Sequence, residues 1–149
     1  MMDNPFIVRV YGILMDSEKG LLVSDEFYQG KYFTKFPGGG LEYGEGTIDC
    51  LRRELLEEVG IEFEISHHFY TTDFFVESAF HSGKQVMSIY YFIFTKKISE
   101  IKISENPFDF DVNSGGMQSF RFIPVRKISG DIFTFLVDRH VALLLNERQ

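Results

Sequence analysis

Three glutamates, Glu54, Glu57 and Glu58, lie within five consecutive residues just downstream of the run Pro37-Gly38-Gly39-Gly40. On a helix turning about 100° per residue, Glu58 falls roughly 40° to one side of Glu54 and Glu57 roughly 60° to the other, so one face carries three carboxylates. Glu57 and Glu58 would also sit near the helix C-terminus, where negative charge is disfavoured by a few tenths to about 1 kcal/mol. A divalent cation offsets both that cost and the mutual repulsion, and Mg²⁺ favours oxygen ligands with retained waters. The glycines supply a second half of a site, because backbone without Cβ can approach a ligand closely and exposed N–H groups can bind phosphate oxygens. Taken singly, an acidic face is an ordinary solvated helix surface and a glycine run an ordinary turn. Together they point to an anion bridged to protein by metal.

The spacing carries a more specific signal. Gly39 is followed by five residues, Glu45, seven residues, Arg53-Glu54-Leu55, one residue, Glu57-Glu58, one residue and Gly60-Ile61. These nine positions within 23 residues resemble the signature of the Nudix hydrolases at every fixed place. That resemblance implies an α/β/α sandwich around a mixed sheet and a hydrolase acting on nucleoside diphosphates linked to another group. It further implies that Glu54, Glu57 and Glu58 carry Mg²⁺ or Mn²⁺, that Glu57 or Glu58 doubles as general base, and that Glu45 and Arg53 orient the loop against the helix. Relatives differ in where the base resides, and some add an acid from a late loop. Here Glu105, Asp109 and Asp111 are the candidates, while Gln118 and Ser119 occupy the stretch where that acid is often found.

A helix from about Thr47 to Gly60 must hold the carboxylates. Thr47 is a possible N-cap, and Gly60 suits a left-handed C-terminal position. Ile48, Leu51, Leu55 and Val59 form the adjoining apolar stripe, and Cys50 reads as a small buried filler beside the acidic face. Upstream, Phe6–Met15 and Gly20–Val23 read as strands joined in a hairpin, and Tyr32–Phe36 as a short strand ended by Pro37. Downstream, Ile61–Ile65, Phe69–Val76, Val86–Thr95 and Phe120–Val125 have strand character, the third covered on both faces. Glu105–Met117 is a turn-rich surface loop. A final helix runs from about Val137 to Glu147, burying Val137, Val141, Leu144 and Leu145 and leaving Asp138, Arg139 and His140 toward solvent.

Composition narrows the partners. A chain of 149 residues with 44% apolar content, 17 Phe, 7 Tyr and no Trp suits one globular domain with an aromatic core. Its net charge of −7 repels an extended nucleic-acid backbone, which leaves a short capped RNA end as the nucleic-acid case least opposed. The lone Cys50 excludes an intrachain disulfide, and the four histidines show no zinc spacing. No stretch has the length of a membrane span or the pattern of a signal peptide, so the cytoplasm is the expected location. A homodimer is compatible with such a chain.

The expected ligand is a small molecule carrying a nucleoside diphosphate, such as ADP-ribose, a nucleotide sugar or a nucleoside triphosphate. Lys35 and Arg121 are candidates to meet its phosphates beside Gly38, Gly39 and Gly40. Tyr32, Phe33, Phe69, Tyr70, Phe74, Phe75 and Phe80 include candidates for stacking, against a background in which most aromatics pack the core. His67 and His68 read as polar edge residues. Two rivals stand beside the hydrolase: an isomerase of prenyl diphosphates, and an inactive nucleotide-binding or regulatory domain of the same fold.

Overall fold

A computed structural model describes residues 4–148. Ten elements follow in the order β1 (Phe6–Ile13), β2 (Met15–Asp16), β3 (Gly20–Tyr28), β4 (Lys31–Lys35), β5 (Gly38–Gly40), α1 (Thr47–Val59), β6 (Glu64–Thr71), β7 (Gln85–Phe94), β8 (Gln118–Ile123) and α2 (Leu136–Arg148), with short 3-10 turns between them.

The strands form two sheets. In the first, ordered β5-β1-β7-β6, β1 and β7 run parallel and the outer pairs are antiparallel. In the second, β3 pairs with β2, β4 and β8, all antiparallel. The β3–β4 hairpin turns through Gln29 and Gly30, both at positive φ, as a two-residue connection between right-twisted strands demands.

β7 explains the layering. Tyr90 and Ile93 are both buried but belong to different core clusters. Ile93 joins Val10, Leu51 and Leu55 beneath α1. Tyr90 joins Tyr11, Phe36, Phe133 and the α2 residues Val137, Val141 and Leu145. The result is the α/β/α sandwich that the sequence resemblance implies. Burying Leu51 and Leu55 contributes roughly 1.5–3 kcal/mol each, which pins α1 to the first sheet and sets Glu54 and Glu58 along its β5 edge.

Several boundaries differ from the sequence reading. β1 does not form a hairpin with β3; the chain crosses to the other sheet at Leu14, and the hairpin is β2–β3. The glycines are not an open turn but the edge strand β5, in register with Arg9, Val10 and Tyr11. Ile65 and Phe69 lie on one strand, β6, which absorbs irregularities around His68 and ends at Thr71. Helix α1 is capped at Gly46, without a side-chain cap, while Thr47 lies in its first turn and its hydroxyl meets Tyr91 OH at 2.7 Å. Ile48 is half exposed, whereas Cys50 is buried. Gly60 does close α1 in the left-handed region, at φ 83. Asp138 reverses its expected orientation: it is 2% exposed and hydrogen-bonded to Tyr90, because polar partners inside the fold outweigh its place beside the apolar stripe.

Candidate active site

Arg53 organises the acidic face of α1. Its Nε and Nη2 donate to the two oxygens of Glu45 at 3.0 and 2.7 Å, Nη1 donates to Glu54 at 3.0 Å and Glu57 at 3.4 Å, and Nη2 also reaches the Gly40 carbonyl at 3.1 Å. This forked geometry is one that lysine could not reproduce. Hydrogen bonds from Arg53, with a second from the Glu42 N–H, hold the Glu45 carboxyl down to about 2. One guanidinium thereby ties the β5–α1 loop to the helix.

Glu54 and Glu58 both face β5. A Cβ on Gly39 would stand 2.4 Å from the Glu54 carboxyl carbon, so only glycine leaves the space this carboxylate fills. Gly38, at φ +140, is confined on its other side by the Val10 carbonyl, and its N–H donates to Glu58 Oε2 at 3.3 Å. Burial pushes the Glu58 carboxyl up to about 7, Lys35 opposes the shift, and the neighbouring Glu26 and Glu54 add to it. Glu57 points outward on Arg53, with 60% of its side chain exposed. Among the described residues, no group of three or more His, Cys, Asp or Glu side chains is gathered to hold a metal ion. The donor chemistry nevertheless fits a hard cation: Glu54 and Glu58 offer carboxylate oxygens beside the same glycines, and an exposed Glu57 side chain is free to turn.

A cleft of about 590 Å³ opens between β1, β3, β4 and the N-terminal end of α2. Lys35 joins it to the motif. Its Nζ, nearly excluded from solvent, contacts Glu26 at 2.8 Å and donates to the carbonyls of Gly38 and Phe36 at 2.9 and 3.2 Å. Although burial favours its neutral form, Glu26 and Glu58 hold its pKa above the ordinary lysine value. Arg9 lies between the same regions, hydrogen-bonded to Tyr11 and with Nη1 3.8 Å from where a Gly40 Cβ would sit.

The structure therefore brings Glu45, Arg53, Glu54, Glu58, Gly38, Gly39, Gly40 and Lys35 together, with Glu57 at the rim. Arg121 is elsewhere. Its guanidinium makes a two-pronged bond to the fully buried Asp25, at 2.6 and 3.2 Å, and it does not line the cleft. Of the stacking candidates, Phe33 and Phe80 line it, while Tyr32, Phe69, Tyr70, Phe74 and Phe75 do not. The late-loop acids do not reach it either; Asp111 instead caps the turn at Asn113 and Ser114.

Sequence reasoning missed Arg9, Glu26 and Asp138. Glu26 is a carboxylate outside the motif that lines the cleft and pairs with Lys35. Its Oε2 accepts from Gln118 Nε2 at 3.2 Å and from Ser24 Oγ at 2.8 Å, so Gln118 orients an acid rather than being one. A signal was available for Arg9: a cation inside the apolar run Ile7-Val8-Arg9-Val10 needs a buried partner.

The family model for the NUDIX domain matches residues 5–140, and the chain belongs to that family. A curated RNA pyrophosphohydrolase from Bartonella clarridgeiae is 30% identical over 110 residues, covering 68% of this chain and 62% of that protein. The chain thus spans somewhat less than two thirds of that relative's length. Among solved structures, a MutT protein from Methanosarcina mazei Go1 superposes with a TM-score of 0.66 at 16% identity, covering 99% of this chain and 98% of that one. MutT from methicillin-resistant Staphylococcus aureus 252 gives 0.64 at 18%, with 99% and 100% covered. At these identities the two structures establish the fold alone. Family membership supports diphosphate hydrolysis as the general activity.

Proposed function

We propose that the chain is a metal-dependent pyrophosphohydrolase of a nucleoside diphosphate derivative, using Glu54, Glu57 and Glu58 to hold Mg²⁺ or Mn²⁺ against the linked phosphates. The observation that carries this reading is the meeting of Glu54 and Glu58 at the β5 glycines, one carboxylate filling the space Gly39 leaves and the other bonded to Gly38. When bound, the cation neutralises diphosphate charge and lowers the pKa of a water. Arg53 holds Glu54 and Glu45 in place, and Glu57 turns inward from its exposed position to complete the donor set. Glu57 or Glu58 takes the proton from the attacking water. Lys35, through Gly38, and Arg9, beside Gly40, supply positive charge where the cleft meets the motif. Arg121 remains a phosphate candidate only if it gives up Asp25.

The substrates to test are ADP-ribose, nucleotide sugars, dinucleoside polyphosphates, nucleoside triphosphates and, because of the RNA pyrophosphohydrolase relative, a short 5′-triphosphorylated RNA. Each is incubated with Mg²⁺ or Mn²⁺ in ¹⁸O-water, and the phosphorus that gains the label is identified. Turnover of none of them would remove the reading. A second reading, a nucleotide-binding domain without turnover, draws on Glu57 being held outward by Arg53; metal-dependent binding without product would favour it. A prenyl diphosphate isomerase would release no phosphate. We further propose that the chain forms a single domain, acts in the cytoplasm and pairs as a homodimer. No helix among the described residues is long and apolar enough to cross a membrane.

A further inference from the structure

Helix α2 buries one face and leaves the other uncovered. Val137, Val141 and Leu145 pack into the core, while Leu136 and Leu143 are 64% and 54% exposed. At about 100° per residue Leu136, His140, Leu143 and Glu147 fall within about 60° of one another, so they form one stripe along the outer surface. The stripe widens beside His140, whose ring packs on those of Tyr70 and Phe74 with centroids 5.1 and 5.5 Å away. The next residue, Phe75, is 70% exposed. A cluster of this kind, unlike a single exposed leucine, marks a surface that another molecule covers.

The charges around the cluster identify the occupant. Arg139 and Glu147 stand four residues, about 6 Å along the axis, on either side of Leu143. Arg139 Nε donates to the Phe133 carbonyl at 2.8 Å, which steadies the guanidinium. Neither Arg139 nor Glu147 forms an ion pair among the described residues. A two-fold axis beside Leu143 that sets a second α2 antiparallel exchanges the two positions. Each Arg139 then comes level with the partner's Glu147, and Leu143 packs on the partner's Leu143. Opposite charges spaced evenly about an apolar centre make the face complementary to itself.

We propose that the outer face of α2, together with Phe74 and Phe75, is the surface on which a second copy of this chain docks antiparallel, Arg139 pairing with the partner's Glu147. This rests on the homodimer reading given above and supplies its surface; it draws nothing from the diphosphate chemistry. The contact is one 13-residue helix long, about 20 Å. That puts it at the small end of specific interfaces, and a Kd of about 10–100 μM is expected. Leu136 also lines the cleft, so pairing brings the second copy to the edge of the cleft.

Sedimentation equilibrium of the full chain from about 5 to 500 μM measures the association. The wild-type protein should pass from monomer to dimer across that range. Leu143→Glu sets two like charges at the axis and should leave the protein monomeric throughout. Arg139→Glu or Glu147→Arg alone should weaken the dimer about tenfold. The double variant Arg139→Glu/Glu147→Arg restores both pairs and should recover association to near the wild-type level. Circular dichroism checks that each variant folds. If the loss of the Phe133 contact unfolds the position-139 variants, Leu143→Glu and Glu147→Arg, both at exposed side chains, carry the test. A wild-type dimer that survives Leu143→Glu overturns this face and leaves the homodimer standing. A folded double variant that fails to recover overturns the antiparallel pairing. A wild-type chain that stays monomeric at every concentration removes both readings and gives the surface to a different protein.

Discussion

The acidic face of α1 and the cleft beside it are both built from buried or half-buried charge, yet they are assembled in opposite ways. On the α1 side, everything from Gly39 to Gly60 is local in sequence, and one side chain, Arg53, bonds Glu45, Glu54 and Glu57. In the cleft, Arg9, Glu26, Lys35 and Asp138 come from β1, β3, β4 and α2, and no one residue holds them together. The difference teaches that the first region owes its geometry to a helix and one cation, whereas the second depends on how two sheets and α2 are packed. Perturbations should therefore separate them.

The largest effect belongs to the α1 side. Glu57→Gln removes a charge but little volume from a side chain that is 60% exposed, so folding and cleft binding should be untouched. Losing one electrostatic participant of this kind costs about 10²–10³ in kcat or more. Steady-state kinetics at saturating Mg²⁺ together with circular dichroism measures both halves; equal turnover in the variant would end the proposed role of Glu57.

The next effect attacks the second sheet. Asp25 is fully buried and is held by Arg121, by the Thr34 hydroxyl at 2.6 Å and by the Phe108 N–H at 3.3 Å. Arg121→Met leaves a buried carboxylate without its counter-charge, which should cost about 3–5 kcal/mol of stability. Because Asp25 adjoins Glu26 on β3 and ties β4 and the 108 loop to it, the cleft should loosen first. Urea denaturation gives the stability loss; a loss under about 1 kcal/mol would mean that the pair is replaceable and that Arg121 is available to a ligand after all.

The same contrast explains what could be read from the sequence. The motif was legible because an α-helix converts fixed spacing into a fixed face, and because Gly39 and Gly60 each answer a local demand, space for Glu54 and a left-handed φ. The cleft was not, since residues 9, 26, 35 and 138 have no mutual spacing until the sheets pair. Asp138 was misplaced for a related reason: helical periodicity shows where the apolar stripe lies but not that Tyr90, 48 residues away, offers a hydroxyl at its edge. Arg121 looked free because the buried Asp25 that captures it is 96 residues distant. Gly38–Gly40 reads as a turn by composition, and only pairing with β1 makes it a strand.

A smaller effect distinguishes the two regions by pH. Asp138 and Glu58 have folded-state values near 7 against 3.8 and 4.5 for the ordinary groups. Between roughly pH 4 and 7 the unfolded chain gives up these protons while the folded one keeps them, so both groups make stability fall as pH rises through that window. Glu45 acts oppositely: held to about 2, it contributes stability that is present above about pH 4.5 and lost on further acidification. The melting temperature of the metal-free protein should therefore decline by several degrees from pH 5 to pH 8. Asp138→Asn should flatten that decline, and added Mg²⁺ should flatten it by favouring ionised Glu58 while leaving the Asp138 contribution in place. If Mg²⁺ alone removed the whole slope, the cleft acid would not be titrating as its burial requires.

The smallest effect tests how α1 begins. Gly46 occupies the N-cap in an extended conformation, φ −79 and ψ 168, with no side-chain cap, and a Cβ there would meet only Asp49 Oδ2 at 3.8 Å. A serine fits without strain, can accept from a first-turn N–H, and reduces the freedom of the unfolded chain. Gly46→Ser should thus add about 0.5–1 kcal/mol, a few degrees in melting temperature. Since Gly46 lies at the far end of α1 from Glu57 and Glu58, kcat should be unchanged while stability rises. Reduced kcat at constant fold would instead mean that the uncapped start of α1 lets the loop carrying Glu45 move during turnover, and that the local region is less self-contained than Arg53 makes it.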